Sequence, residues 1–245
     1  PLAVFSAAMV QYSVVSTYEG SLLEEHQPYG MDGGLAVQLS GGVILDTREP
    51  EFTPHRGVMA EVSARVSPAL DAGAYWGMFV SVRSFAPLGK SVVLASRVMA
   101  EWMYGDVPFY EMVRWGGSVP ILGFGGWETI RGVPFGRWHG PHKAVGNLEL
   151  RIDVVRHLFF KDTMLWQLVP AADVGAVWGA GETATAEAPA VPLHPSAGVG
   201  VRIIWADAFV GRIDFSAGPN SVVEPDGTIT QEPSYGFYLL FDHLF

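Results

Sequence analysis

The chain has 245 residues, with 25 Asp and Glu against 15 Lys and Arg, for a formal net charge of −10; that balance excludes recognition of nucleic acid by charge. Apolar residues make up 49% and charged residues only 16%, against roughly 25% charged in an ordinary soluble domain, so a disordered chain is excluded as well. No apolar run reaches the roughly 18–20 residues of a membrane-spanning helix, and without cysteines there is no disulfide, thiolate metal site or Cys nucleophile.

A chain that is apolar on average but never for long fits a transmembrane β-barrel, because lipid-facing and lumen-facing residues alternate along each strand. The soluble alternative is a large β-sandwich. In chain order, period-two alternation punctuated by Gly and Pro predicts about ten strands, over 2–16, 34–48, 57–67, 75–85, 91–104, 143–155, 165–178, 197–205, 208–218 and 236–245. The connections 17–33, 105–142, 179–196 and 219–235 are long, 49–56 and 156–164 are medium, and 68–74, 86–90 and 206–207 are short. Short turns at one end and longer loops at the other are the rhythm of an up-and-down barrel. The chain opens at Pro1 without a charged and apolar leader, so a removed signal peptide or a start inside a longer protein is expected.

The two faces of each strand carry the strongest signal. In 144–154, Ala144, Gly146, Leu148, Leu150, Ile152 and Val154 share one face, while Asn147, Glu149, Arg151 and Asp153 share the other. Likewise Val199, Val201, Ile203 and Trp205 oppose Arg202, and Val92, Leu94, Val98 and Trp102 oppose Arg97 and Glu101. The polar face mixes Arg with carboxylates, and the chain holds only three lysines, Lys90, Lys143 and Lys161. Mixed ladders of this kind suit a crowded, water-containing lumen better than a solvated sandwich face. Trp76, Trp102, Tyr104, Tyr110, Trp115, Trp166, Trp178, Trp205 and Tyr238 fall near strand ends, where aromatic girdles are expected. The predicted last strand places Phe237, Leu239, Phe241 and Phe245 on one face, the pattern of a C-terminal assembly signal.

Two runs, Val107-Pro108-Phe109-Tyr110-Glu111 and Gly125-Gly126-Trp127-Glu128-Thr129-Ile130-Arg131-Gly132-Val133, resemble the sixth extracellular loop of the BamA/TamA family of outer-membrane insertases and translocases. Asp46-Thr47-Arg48, Phe52-Thr53-Pro54 and Gly57 are similar to that family's upstream element. Asn147-Leu148-Glu149, Asp173 to Trp178, Ser196 to Gly200 and Phe245 follow in the family's order. The tip departs from the family at its fourth position, where Val133 replaces an aromatic residue. The resemblance implies an all-β, antiparallel up-and-down transmembrane β-barrel in the bacterial outer membrane. The ten strands of residues 1–245 would be the C-terminal part of a barrel of about sixteen.

The resemblance further implies that the loop at 105–142 folds back into the lumen. Its tip, Ile130, Arg131, Gly132 and Val133, would be held there by pairing of Arg131 with Glu149 and Asp173. Period two independently sends Glu149 inward, and a lipid-facing Asp173 would be costly. The implied partners are outer-membrane lipids, unfolded client outer-membrane polypeptides, and periplasmic or lipoprotein partners. The alternative is a passive pore or structural surface-antigen barrel. No cofactor and no catalytic residue are expected. His139 and His142 lack a third ligand at metal spacing, the glycine-rich run 123–126 does not open a phosphate loop, and no nucleophile motif surrounds Ser196 or Ser216.

Overall fold

A computed structural model describes residues 1–71, 73–179, 193–223 and 229–245. Ten strands form one sheet in sequence order: β1 (Leu2–Ser13), β2 (Gly34–Asp46), β3 (Gly57–Ser67), β4 (Tyr75–Pro87), β5 (Val92–Gly105), β6 (His142–Phe159), β7 (Asp162–Trp178), β8 (Leu193–Trp205), β9 (Phe209–Val223) and β10 (Ile229–Leu240). Every neighbouring pair is antiparallel. Among the described residues β1 pairs only with β2 and β10 only with β9, so the curved sheet is not closed. Two short helices, α1 (Leu22–His26) and α2 (Phe109–Met112), sit in the two longest connections.

Two predicted loops are largely strand. The ladder between β6 and β7 runs on to Phe159↔Asp162, leaving Phe160 and Lys161 as the turn where 156–164 was expected to be loop. Charged side chains there imitate a loop, but ladder hydrogen bonds join backbone groups whatever the side chains are. The expected loop 219–235 likewise contains the ends of β9 and β10, with Pro219 opposite Pro233. Both prolines are tolerated because β10 is an edge strand and β9 pairs with β8 only from Ala217 downward. The tract 180–192, read as loop, lies outside the described residues.

Inside and outside separate by residue parity. On β5, Val98 is 60% exposed while its neighbours Arg97 and Met99 are 1% and 0% exposed. Trp76 and Tyr104 stack at 4.8 Å, Tyr104 meets His142, and His142 meets Trp178, which makes an aromatic row across β4 to β7 at the end that carries the long loop. Trp166 and Trp205 lie exposed toward the other end. Such belts flank an apolar band in a bilayer-spanning sheet. Three of the expected girdle residues depart from it: Trp115 and the hydroxyl of Tyr110 are buried, and Tyr238 faces inward.

The inner side is packed rather than open. Loop residues Trp115, Ile121, Phe124, Ile130 and Val133 form one apolar core with Phe79, Met99, Val145 and Val177 of the wall. Gly175 on β7 makes room for it: a Cβ there would stand 2.4 Å from Ile130 and 2.7 Å from Phe124. The expected water-containing lumen is therefore partly an apolar interior built by the loop.

The chain end corrects a further expectation. β10 stops at Leu240, so Phe237, Leu239 and Phe241 are exposed on the outer face whereas Phe245 is buried inside. Leu244 and Phe245 pack against Phe85, Val93 and Ala95. The Phe245 ring also lies 5.3 Å from the Arg97 guanidinium carbon and 5.5 Å from that of Arg151. These cation–π contacts, in a desolvated setting, give Phe245 a better partner inside than the outer face offers.

If the outer face meets lipid, Val98→Arg in the full-length protein should cost about 2–4 kcal/mol in denaturant titrations from vesicles. Val119→Arg, in the exposed part of the loop, should stay within about 0.5 kcal/mol. Equal effects of the two changes would mean that the Val98 face is not in hydrocarbon.

Candidate functional site

The loop between β5 and β6 is tied together by its own contacts as well as to the wall. Its backbone crosses itself through Trp115 N–H to Ile121 O (2.9 Å) and Gly123 N–H to Val113 O (2.9 Å). The Trp115 indole N–H donates to Gly123 O at 2.8 Å. Nearer the tip, Gly126 N–H is shared between Ile130 O and Val133 O, and Thr129 Oγ1 donates to Gly125 O. Trp127 and Phe135 stack at 4.9 Å across the neck. Gly132 has φ +85° and lies against the backbone of Ala217 on β9, where a Cβ would come within 2.9 Å. Any other residue is excluded there twice, by conformation and by space.

All four tip residues are buried. Arg131 donates from Nε to Asp173 Oδ2 and from Nη2 to Asp173 Oδ1, both at 2.8 Å, a fork-to-fork pair. Its backbone N–H adds a bond to Asp173 Oδ2 at 3.0 Å, and Nη1 donates to Glu149 Oε1 at 2.8 Å. Asp214 stands 3.6 Å away. The clamp thus joins the loop to β6, β7 and β9. Burial by itself would lower the pKa of Arg131, but Asp173 first, then Glu149 and Asp214, outweigh it and hold the pKa above its ordinary value.

Further arginines tie these carboxylates to the wall. Arg202 on β8 bridges Glu149 (3.0 Å) and Asp214 (2.6 Å), Arg151 pairs with Glu149 at 2.9 Å, and Arg212 pairs with Asp214 at 3.1 Å. Arg97 enters through Asn147, whose amide donates to Asp173 Oδ1 and to Thr129 O. Period two on β6 and β7 sets this up, since Asn147 and Asp173 are register partners. The five guanidiniums exceed the three carboxylates. The surplus donors reach carbonyl oxygens instead: Glu128 and Leu244 from Arg97, Phe245 from Arg151, and Trp127 from Arg212.

A second cluster, which the sequence reading missed, holds the loop's descending arm. Lys143 Nζ donates to Met112 O (2.7 Å) and Arg114 O (2.6 Å), and stands 3.1 Å from Glu101 Oε2. Glu101 pairs with Arg65 at 2.6 Å and accepts from Gly116 N–H, while Glu61 accepts from the Ser118 hydroxyl. Glu111 is buried with Arg65 and Arg114 at 3.7 Å. The signal was available, because Glu61, Arg65 and Glu101 fall on the inward parity and Lys143 shares a face with Asn147. Nothing in the sequence showed that backbone carbonyls of the loop would be their partners.

The other expected residues fall apart from the clamp. The Asp46–Arg48 pair is real, at 2.7 Å, but stabilises the connection between β2 and β3. His142 joins the aromatic row, and among the described residues no group of three His, Asp or Glu is placed to hold a metal. Phe237, Leu239 and Phe241 lie outside, far in role from Phe245.

Lys143→Met leaves part of the Glu101 charge uncompensated and frees two carbonyls. The expected cost is about 3–5 kcal/mol, with faster limited proteolysis within 109–118 of the full-length protein; unchanged cleavage would remove Lys143 from the latch. A pH dependence follows from His243, which is half-buried beyond the end of β10. Burial first, then the charge of Arg151, holds its pKa well below 6.5, with Arg202 and Arg212 acting the same way and Glu149 opposing. A released tail takes up the proton near the ordinary value, so docking of the tail is complete above that pH and weakens below it. Hydrogen exchange at 241–245, corrected for the intrinsic rate, should rise from about pH 7.5 to about pH 5.5, and His243→Gln should abolish the rise. A flat profile for the native residue would exclude the effect.

Comparisons with known proteins agree with this architecture. No curated protein matches the chain. Among solved structures it is similar to the crystal structure of BamA from Haemophilus ducreyi lacking POTRA domains 1-3, at 15% sequence identity and a TM-score of 0.61, covering 98% of this chain and 51% of that one. At that identity the likeness is one of fold, and this chain spans about half the length of the solved relative. Residues 16–232 match the Omp85 superfamily domain. With most of its length inside that match and ten antiparallel strands carrying an apolar outer face, the chain belongs to the Omp85 superfamily of bacterial outer-membrane β-barrels.

Proposed function

We propose that residues 1–245 are one barrel domain, part of a larger barrel, that assists insertion or translocation of client polypeptides at the outer membrane. The observation that carries this reading is the buried clamp of Arg131 on Glu149 and Asp173, with Asp214 beside it. It locks the loop 105–142 to three wall strands, β6, β7 and β9, a more elaborate attachment than a passive wall needs. The edges of β1 and β10, unpaired among the described residues, support the same reading. An open edge in hydrocarbon costs several kcal/mol for each unsatisfied backbone group, so each takes a further strand, from the same protein or from a client. The partners are then lipids, unfolded outer-membrane polypeptides and, at the membrane surface, periplasmic or lipoprotein factors. No chemical step is assigned to any residue. The apolar core that loop and wall form speaks against the steady conductance of the passive-pore alternative.

The test is insertion of an unfolded outer-membrane client into proteoliposomes that carry the full-length protein. Arg131→Ala leaves Glu149 and Asp173 short of a buried partner, a loss of about 3–5 kcal/mol. It should reduce insertion at least several-fold and expose the loop to protease. Wild-type insertion together with unchanged protease resistance would overturn the reading.

A further inference from the structure

The edge strand β10 reaches the loop tip through one side chain that lies outside the clamp. Tyr238 faces inward, and its hydroxyl accepts a hydrogen bond from Gly132 N–H at 3.0 Å. Gly132 follows Arg131 directly and is buried, so without that hydroxyl its amide would be an orphan donor. The phenol reaches the tip by lying across Gly236, two residues back on the same face of β10. A Cβ on Gly236 would stand 2.2 Å from the Tyr238 hydroxyl and 2.5 Å from the ring carbon that bears it. An aromatic ring laid over a strand glycine is a known way to fix an otherwise loose edge. Among the described residues β10 has a ladder partner on one side only, and the tail that follows it is attached to the same arginine network through Leu244 O and Phe245 O.

We propose that Tyr238 is a positioning residue that couples the edge strand to the loop tip. The pair Gly236 and Tyr238 transmits displacement of β10 to Gly132 and so to the Arg131 clamp. The coupling is reciprocal, because two sites that share one free energy affect each other equally. Loosening the clamp loosens β10, and moving β10 loosens the tip. This deepens the proposed function and rests on it for its biological meaning, since β10 is the strand whose free edge a client would meet.

Hydrogen exchange on the full-length protein in lipid nanodiscs tests the coupling without a client. Tyr238→Phe keeps the ring over Gly236 and removes only the acceptor. Exchange at Gly132 should rise by about fivefold or more, while β4 stays as in the native protein. Gly236→Ala displaces the phenol by another route and should give the same signature. Conversely, Arg131→Lys should raise exchange at 235–240 but not in β4. A Tyr238→Phe protein with exchange at 130–133 within about twofold of native overturns the proposal, as does an Arg131→Lys protein in which β4 and β10 change alike. Client insertion, measured on the native protein against empty liposomes, separates the two readings. Coupled exchange in a protein that inserts no client sustains the role of Tyr238 and rejects the insertase, whereas client insertion without coupled exchange does the reverse.

Discussion

A guanidinium that is 1% exposed survives burial only if every donor has a partner and its charge is matched. Arg131 meets that demand with carboxylates from three strands, and much of the inner architecture follows from it. Glu149 and Asp173 must face inward at matching heights, which fixes the parity of β6 and β7. Asn147 must stand beside Asp173, and Arg202 must bridge to Asp214. Shifting any of these strands by one residue would turn the entire set toward lipid. The ionic network therefore specifies register as much as it contributes stability, and its surplus of cations draws in the loop and tail carbonyls.

The loop is held at two heights by different chemistry. At the tip, side chains of the loop pair with side chains of the wall. On the descending arm, Lys143, Arg65 and Glu101 hold mostly backbone groups of residues 112–116. Between these polar layers lies the apolar core around Trp115, Phe124 and Ile130. Polar groups at both ends and hydrocarbon between them make a plug that cannot slide without breaking one layer. The loop's own crossing hydrogen bonds and stacked neck restrict its backbone in addition to the contacts with the wall.

The contrast between β5 to β7 and β10 is one of redundancy. The central strands have ladders on both sides and charged pairs to the loop. β10 has one ladder, two glycine or proline interruptions at Pro233 and Gly236, and an end that leaves the sheet at Leu240. It is held instead by Tyr238 and by the buried tail. A strand attached by few and separable contacts is the part of the sheet that moves at least cost.

Alternation along the strands was legible from residue types alone, because a period of two separates Val98 from Arg97 and Leu148 from Glu149 wherever one face meets lipid. The strand order and the loop-tip residues were legible too, the latter through resemblance to a family. Strand ends at 156–164 and 219–235 were not, since backbone ladders continue beneath side chains that look like turns. Nor were the Lys143 latch, the inward turn of Phe245 or the contact of Tyr238 with Gly132. Each of these joins a side chain to a backbone group, or to a ring, far away in sequence. Local pattern determines which way a side chain points, but only the assembled sheet decides what stands opposite it, because that partner is brought there by strand register and loop packing.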